Sequence, residues 1–118
     1  MGEPQRVNPE WEVGVEDIAA RLRAGGRDLV LIDCRTVEER MLASIDGSLH
    51  IPLDEIPARL GEIEALEDEG EVVVYCHAGV RSMHAAVFLR EQGIDSARSM
   101  AGGIDAWSVR VDPGVERY

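Results

Sequence analysis

Two short runs of consecutive apolar residues constrain the fold of this chain more than any other feature. They are Leu29-Val30-Leu31-Ile32 and Val72-Val73-Val74-Tyr75. A strand with one solvent-facing side alternates apolar and polar residues, whereas a strand that is covered on both sides is apolar throughout. Segments with helical patterns separate these strands from their neighbours. We therefore expect an α/β fold, with a mostly parallel central sheet of about five strands and helices on both faces.

Strands and helices are predicted to alternate along the whole chain. Thr36 and Glu39 have the spacing of a capping box, which begins a short helix ending near Leu42. Strands are predicted near 11–13 and at 29–33, 48–51, 72–75 and 97–100, and helices at 15–24, 37–42, 53–66, 83–92 and 103–107. Residues 109–118 are expected to form an irregular tail.

Length and charge narrow the range of functions. A chain of 118 residues is expected to form one domain, spanning 1–118. Its net charge of −11 argues against a nucleic-acid partner. The sequence has no apolar stretch long enough to cross a membrane and no signal peptide, so a cytoplasmic protein is expected. The two cysteines form no metal-ligand pattern, and we expect neither a metal nor an organic cofactor.

A six-residue segment, Cys76-His77-Ala78-Gly79-Val80-Arg81, joins the second apolar strand to a predicted helix. Ligands of parallel sheets bind beyond the carboxyl ends of the strands, which is where Cys76 falls. A chain that turns from a strand directly into a helix directs backbone N–H groups and the positive end of the helix dipole at one point. The segment therefore predicts an anion-binding loop around a nucleophilic thiolate.

Two reaction classes need a thiolate, a ring of N–H donors and a guanidinium. One is phosphoryl transfer, and the other is sulfur transfer through a persulfide. Cysteine phosphatases place five residues between their cysteine and arginine, whereas only four separate Cys76 from Arg81. The shorter loop leaves less room for a phosphoryl group but suits one added sulfur atom, so sulfur transfer is favoured and a phosphatase is the weaker alternative.

Four segments in order resemble the rhodanese (sulfurtransferase) family. The central one is the loop with its trailing serine, Cys-x-x-Gly-x-Arg-Ser. The segments are Leu31-Ile-Asp33-Cys34-Arg35, Ile45-Asp-Gly-Ser-Leu-His-Ile51-Pro52, Cys76 to Ser82, and Ala101-Gly-Gly-Ile-Asp-Ala-Trp107. Departures from the usual family pattern occur at Ala43-Ser44, Asp46 and Cys34, all of them outside the loop.

The resemblance implies a two-step reaction. A small anionic donor such as thiosulfate would give its outer sulfur to Cys76 and release sulfite. A thiol or a protein acceptor would then take that sulfur. The tail is similar to the ends of rhodanese domains fused to adenylating enzymes, which adds an alternative: a relay module that passes persulfide sulfur to a partner protein, with little turnover of small molecules.

The resemblance also assigns roles within the loop. Backbone N–H groups from His77 to Ser82 would hold the sulfur and the donor oxygens, and Gly79 would supply a conformation that side chains disfavour. Arg81 would either bind the donor or brace the loop by hydrogen bonds to backbone carbonyls, with bracing favoured. Ser82 would cap the following helix or donate to the sulfur. The predicted persulfide-binding residues are His77, Ala78, Gly79, Val80, Arg81 and Ser82.

Other candidates have structural interpretations beside the functional ones. His77 either raises the positive potential near the thiol or faces solvent. Asp33 and Arg35 are expected to form an ion pair that organises loops near the site, with a role as substrate ligands as the alternative. Cys34 is expected to be a small buried apolar residue, with a resolving thiol near Cys76 as the alternative. Trp107 is expected to pack in the core or as part of a lid.

Overall fold

The computed structural model describes residues 3–118. They form a five-stranded sheet in the order β1-β5-β4-β2-β3, and every pair of neighbouring strands is parallel. The strands are β1 (Glu12–Val13), β2 (Asp28–Asp33), β3 (Leu49–His50), β4 (Gly70–Tyr75) and β5 (Arg98–Met100). The α-helices are α1 (Val15–Arg23), α2 (Val37–Leu42), α3 (Leu60–Glu67), α4 (Val80–Glu91) and α5 (Gly103–Arg110). The α/β class, the parallel sheet and the number of strands agree with the sequence prediction.

The apolar strands β2 and β4 divide their side chains between two cores. Val30, Ile32, Val72 and Val74 lie in a cluster with buried residues of α3 and α4. Leu31 and its neighbours on the other face pack with α1 and α5. Burial on both faces explains why neither strand alternates polar with apolar residues. Trp107 is 7% exposed within the second cluster, which confirms its predicted place in the core.

The register of the two central strands brings both cysteines to the same edge of the sheet. Asp33 pairs with Tyr75, the last residue of β4. The next residue of the chain, Cys34, donates its N–H to the carbonyl of Tyr75 at 3.0 Å. Cys34 and Cys76 therefore follow neighbouring strands and lie in the same core cluster. This is the carboxyl edge of the sheet, where the sequence places the site.

Three predicted helices have different bounds in the structure. The segment 53–66 is not one helix but two 3-10 turns, Leu53–Glu55 and Pro57–Arg59, followed by α3. Pro57 has no N–H to donate, so it interrupts the helical hydrogen bonds. Helix α4 begins at Val80, three residues before the predicted start, and α5 continues to Arg110. The irregular tail is accordingly shorter than predicted.

The capping box at the start of α2 is confirmed. The hydroxyl of Thr36 accepts a hydrogen bond from the N–H of Glu39 at 3.2 Å, and the Glu39 carboxylate accepts one from the N–H of Thr36 at 3.2 Å. Helix α2 buries none of its residues, so its position depends on its ends and its polar contacts. Within residues 3–118, no helix combines the length and apolar character that a membrane span requires.

Candidate active site

The sulfur of Cys76 is surrounded by hydrogen-bond donors at the junction of β4 and α4. Cys76 as a whole is 1% exposed. The N–H of Gly79 donates to Sγ at 3.1 Å and the N–H of Ser82 donates at 3.4 Å. The hydroxyl of Ser82 lies 3.3 Å from Sγ and 2.7 Å from the hydroxyl of Ser99. Together with the N-terminal end of α4, these groups are suited to an anionic sulfur.

Two roles were predicted for Ser82, and the structure is compatible with only one of them. Ser82 lies inside α4, and the N-cap of that helix is Gly79, which makes no side-chain capping bond. The capping role predicted for Ser82 is therefore wrong. Its buried hydroxyl instead lies within reach of the Cys76 sulfur. The helix starts earlier than the apolar pattern indicated, because Val80 and Arg81 are helical although they are not buried.

Two glycines let the loop approach the rest of the protein. Gly79 has φ +104°, a conformation that residues with a Cβ rarely adopt, as the sequence predicts. At Gly103, a Cβ would lie 2.4 Å from the carbonyl oxygen of His77. The chain after Gly103 binds the back of the loop, since the N–H of Ile104 donates to the Cys76 carbonyl at 2.9 Å. The start of helix α5 thus holds the backbone of the loop by hydrogen bonds.

Arg81 is held by a carboxylate. Its two terminal nitrogens donate to Oε1 and Oε2 of Glu39 at 2.6 and 2.9 Å. The expected bracing by backbone carbonyls is not the arrangement observed, because Glu39 of α2 lies within reach and a carboxylate binds a guanidinium more strongly than a carbonyl does. The hydrogen bonds from Arg81 lower the pKa of Glu39 far below its usual value, so this carboxylate stays ionised.

The tail completes this arrangement. The hydroxyl of Tyr118 donates to Oε2 of Glu39 at 2.7 Å and accepts from Arg35 at 3.0 Å. Its ring lies against the imidazole of His77, with the two centroids 4.5 Å apart. Burial raises the pKa of Tyr118 to about 12, so the phenol remains a donor. The last residue of the tail therefore connects α2, the end of β2 and the cysteine loop.

Asp33 and Arg35 form a fully buried ion pair. Arg35 donates to both carboxylate oxygens of Asp33, at 2.9 and 2.8 Å. Arg40 of α2 adds a further bond to the same carboxylate at 3.1 Å. Burial alone would raise the pKa of Asp33, but the hydrogen bonds from Arg35 outweigh it and the pKa is lowered. Arg35 also donates to the Ala43 carbonyl at 2.6 Å, so the pair ties together the segments that flank α2.

The remaining loop residues differ in exposure. Ala78 and Val80 are exposed, and Val80 keeps 66% of its surface accessible. His77 is half-buried against Tyr118 rather than solvent-facing, and its Nδ1 is a buried atom without a hydrogen-bond partner among the described residues. The sequence did not indicate the contact with Tyr118, since it joins residues far apart in the chain.

A cleft of about 530 Å³ lies beside the loop. Arg81 and Cys34 both line it, together with residues from the start of α2 and from the turn after Pro52. Cys34 itself is 1% exposed, as expected for a small buried residue. Burial, together with its proximity to Cys76, raises the pKa of the Cys34 thiol to about 12, so Cys34 stays protonated. Cys76 is therefore the better candidate for the nucleophile.

Sequence reasoning missed three residues of the site: Glu39, Ser99 and Tyr118. Glu39 was identified as a helix cap, which it is, but not as the partner of Arg81. Its side chain has two oxygens, and one capping bond leaves capacity for more. This remaining hydrogen-bonding capacity could have indicated that Glu39 also binds a cation. Nothing in the local sequence pointed to Ser99 or Tyr118.

The geometry supports one kind of chemistry. A thiolate at Cys76 would face backbone N–H groups and one hydroxyl, which can hold either the thiolate or a sulfur added to it. In residues 3–118, no cluster of three or more His, Cys, Asp or Glu side chains could hold a metal ion. The site thus places a buried thiol at the N-terminal end of α4, an arrangement suited to an anionic sulfur.

Comparison with known proteins agrees with this description. The chain matches the Rhodanese-like domain family over residues 15–110. It therefore belongs to the rhodanese-like family, a class of α/β sulfurtransferase domains. A sulfurtransferase of Allochromatium vinosum is 37% identical over 97 residues, which cover 82% of this chain and 87% of that protein.

Two further relatives are of different sizes. The adenylyltransferase and sulfurtransferase MOCS3 of Arabidopsis thaliana is 35% identical over 102 residues, covering 75% of this chain but 22% of that protein. The structure of the human single-domain sulfurtransferase TSTD1 superposes with a TM-score of 0.70 at 26% identity, covering 84% of this chain and 96% of that one. The chain thus resembles both a free-standing sulfurtransferase and part of a larger one.

Proposed function

We propose that this chain transfers sulfane sulfur through a persulfide on Cys76. The observation that carries the proposal is the set of donors around Sγ: two backbone N–H groups and the Ser82 hydroxyl, all within 3.4 Å. These groups would stabilise the thiolate before the reaction and the anionic persulfide after it.

The proposed reaction has two steps. The Cys76 thiolate attacks the outer sulfur of a donor such as thiosulfate, the donor S–S bond breaks, and sulfite leaves with the electron pair. An acceptor thiolate or cyanide then attacks the outer sulfur of the persulfide, and Cys76 leaves as the thiolate. No net oxidation occurs, since one sulfane sulfur moves between two nucleophiles.

A phosphatase is the weaker candidate. Only four residues separate Cys76 from Arg81, and the Arg81 guanidinium is bound to Glu39. A phosphoryl group would need that guanidinium for its equatorial oxygens. Hydrolysis of an aryl phosphate that depends on Cys76 would favour this candidate.

Delivery of sulfur to a partner protein is a second candidate within the same chemistry. Its support is the 35% identity to part of MOCS3, which is named as both an adenylyltransferase and a sulfurtransferase. The similarity of the tail to rhodanese domains of that fused kind also indicates a relay module. The exposed apolar side chain of Val80, within the loop, offers a contact for an acceptor protein. We also propose a cytoplasmic location, which is the expectation from the sequence.

Thiocyanate formation separates the candidates. The protein is mixed with thiosulfate and cyanide, and thiocyanate is measured for the unmodified chain, for Cys76→Ser and for Cys34→Ser. We expect turnover that Cys76→Ser abolishes and Cys34→Ser retains. Negligible turnover by a protein that still forms a persulfide would favour the relay. A Cys76→Ser variant as active as the unmodified chain would overturn both.

A further inference from the structure

The group that a donor anion would use is already occupied. Arg81 presents the parallel pair of N–H groups that binds a carboxylate, a sulfonate or a phosphate. Both are taken by Glu39, at 2.6 and 2.9 Å. The side chains of Arg81 and Glu39 are 34% and 17% exposed, so water screens this pair only in part. An anionic donor would have to displace Glu39 to bind Arg81 through this pair of N–H groups.

Glu39 is itself fixed in place by other contacts. The N–H of Thr36 donates to Oε1 at 3.2 Å, and the hydroxyl of Tyr118 donates to Oε2 at 2.7 Å. Moving this carboxylate away from Arg81 would disturb the capping box of α2 and the position of the tail together. Glu39 therefore behaves as a built-in counter-ion for the loop.

The adjacent cleft has more carboxylates than free cations. It is lined by Glu38, Asp54 and Glu55 beside Arg81, and of these three carboxylates Glu55 is paired with Arg59 at 3.3 Å. Arg35, which also lines the cleft, is fully buried and committed to Asp33. A small dianion entering from this side meets like charges, whose repulsion grows where water is displaced.

We propose that Glu39 determines the donor preference, weakening the binding of small dianions such as thiosulfate and favouring persulfides of thiols. The inference rests on the proposed Cys76 reaction. A thiol persulfide differs from thiosulfate in its leaving group, which is a thiolate without sulfonate oxygens and therefore needs no guanidinium. The Cys76 thiolate attacks that outer sulfur, the donor S–S bond breaks, and the donor thiolate leaves with the electron pair. The persulfide and its proton are then on Cys76.

Glu39→Gln tests the proposal with little risk to folding. Glutamine also satisfies the third position of a capping box, so α2 keeps its start while the bidentate ion pair is lost. We expect the KM for thiosulfate to fall about tenfold and kcat to stay within about threefold, because a freed guanidinium gains a sulfonate. The KM for 2-hydroxyethyl persulfide, whose thiol portion is uncharged, should change less than about twofold, since that donor needs no guanidinium.

Two further variants separate occupancy of Arg81 from general charge. Glu38→Gln removes the same charge from the same helix without freeing Arg81, and we expect it to lower the KM for thiosulfate less than about threefold, as for an exposed charge. Tyr118→Phe keeps the charge of Glu39 but removes one of the hydrogen bonds that hold its carboxylate in place. We expect it to lower the KM for thiosulfate by more than Glu38→Gln does and by less than Glu39→Gln does.

The outcomes distinguish this inference from the function on which it rests. An unchanged KM for thiosulfate in Glu39→Gln, or a fall in kcat alone, would show that Glu39 only braces the loop and would overturn the inference. An unmodified protein that prefers thiosulfate to 2-hydroxyethyl persulfide would also overturn it. Failure of Cys76 to accept sulfur from either donor would instead overturn the proposed function.

Discussion

At the scale of single residues, the Cys76 sulfur depends on very few neighbours. Ser82 contributes both its N–H and its hydroxyl, at 3.4 and 3.3 Å from Sγ. The Ser99 hydroxyl, 2.7 Å from that of Ser82, orients it from β5. A buried hydroxyl with two partners and no exposure has little rotational freedom. Toward a Cys76 thiolate the Ser82 hydroxyl can only donate, and it would then accept a hydrogen bond from Ser99.

Removing the Ser82 hydroxyl should slow formation of the persulfide. We expect Ser82→Ala to lower its rate constant about 10- to 100-fold, because a hydrogen bond to a charged group contributes about 1.5–3 kcal/mol. The rate is measured from the mass of the intact protein over time. Ser96→Ala is the control, since that hydroxyl binds Val72 and Glu67 instead. Equal effects of the two substitutions would contradict the assignment.

At the scale of elements, α5 and the cysteine loop depend on each other. The N–H groups of Ile104 and Asp105 donate to the carbonyls of Cys76 and His77, at 2.9 and 3.0 Å. The contact is possible because Gly103, with φ +61°, leaves no Cβ between the two segments. The start of one helix thereby fixes the backbone that precedes another.

A methyl group at Gly103 should destabilise the protein more than one at Gly93, although both glycines have a positive φ. In Gly103→Ala the Cβ would lie 2.4 Å from a carbonyl oxygen, whereas in Gly93→Ala, at φ +94°, it meets nothing within 4 Å. We expect losses in the free energy of unfolding of about 3 and about 1 kcal/mol, from overpacking plus backbone strain and from strain alone. Urea denaturation of both variants measures the difference, and equal losses would show that the close approach is unimportant.

Local patterns predicted the elements better than they predicted the contacts between them. Apolar runs, the capping box and the loop glycine are each encoded within a few residues, so the strands and Gly79 could be predicted. The pair of Glu39 and Arg81 joins positions 42 apart, and that of Tyr118 and Glu39 joins positions 79 apart. Such contacts depend on how loops meet after the sheet has formed, which no local pattern records.

At the scale of the whole molecule, two carboxylates link stability to pH. The folded-state pKa values of Asp33 and Glu39 lie below their ordinary values, which are about 3.9 and 4.3. Their stabilisation is therefore fully present above about pH 5 and is lost as the pH falls below about 4. The surface carboxylates behind the net charge of −11 act in the opposite direction, since their protonation relieves repulsion.

These opposing effects predict a maximum of stability near pH 5 and a fall toward pH 3. Denaturant unfolding at pH 7, 5 and 3 measures the profile. Asp33→Asn should lose about 3 kcal/mol at pH 7, because it leaves the buried charge of Arg35 without its partner, and should flatten the acid side. A stability that continues to rise down to pH 3 would contradict the role given to these carboxylates.

Formation of a persulfide on Cys76 is the step on which the whole proposed reaction depends, and the mass of the intact protein measures it. The reduced chain is incubated with excess 2-hydroxyethyl persulfide or thiosulfate, freed of donor, and weighed together with Cys76→Ser and Cys34→Ser. We expect one added sulfur atom on the unmodified chain and on Cys34→Ser, located on Cys76 by peptide mapping, and none on Cys76→Ser. An adduct that survives in Cys76→Ser, or no adduct on a fully reduced chain with either donor, would contradict it.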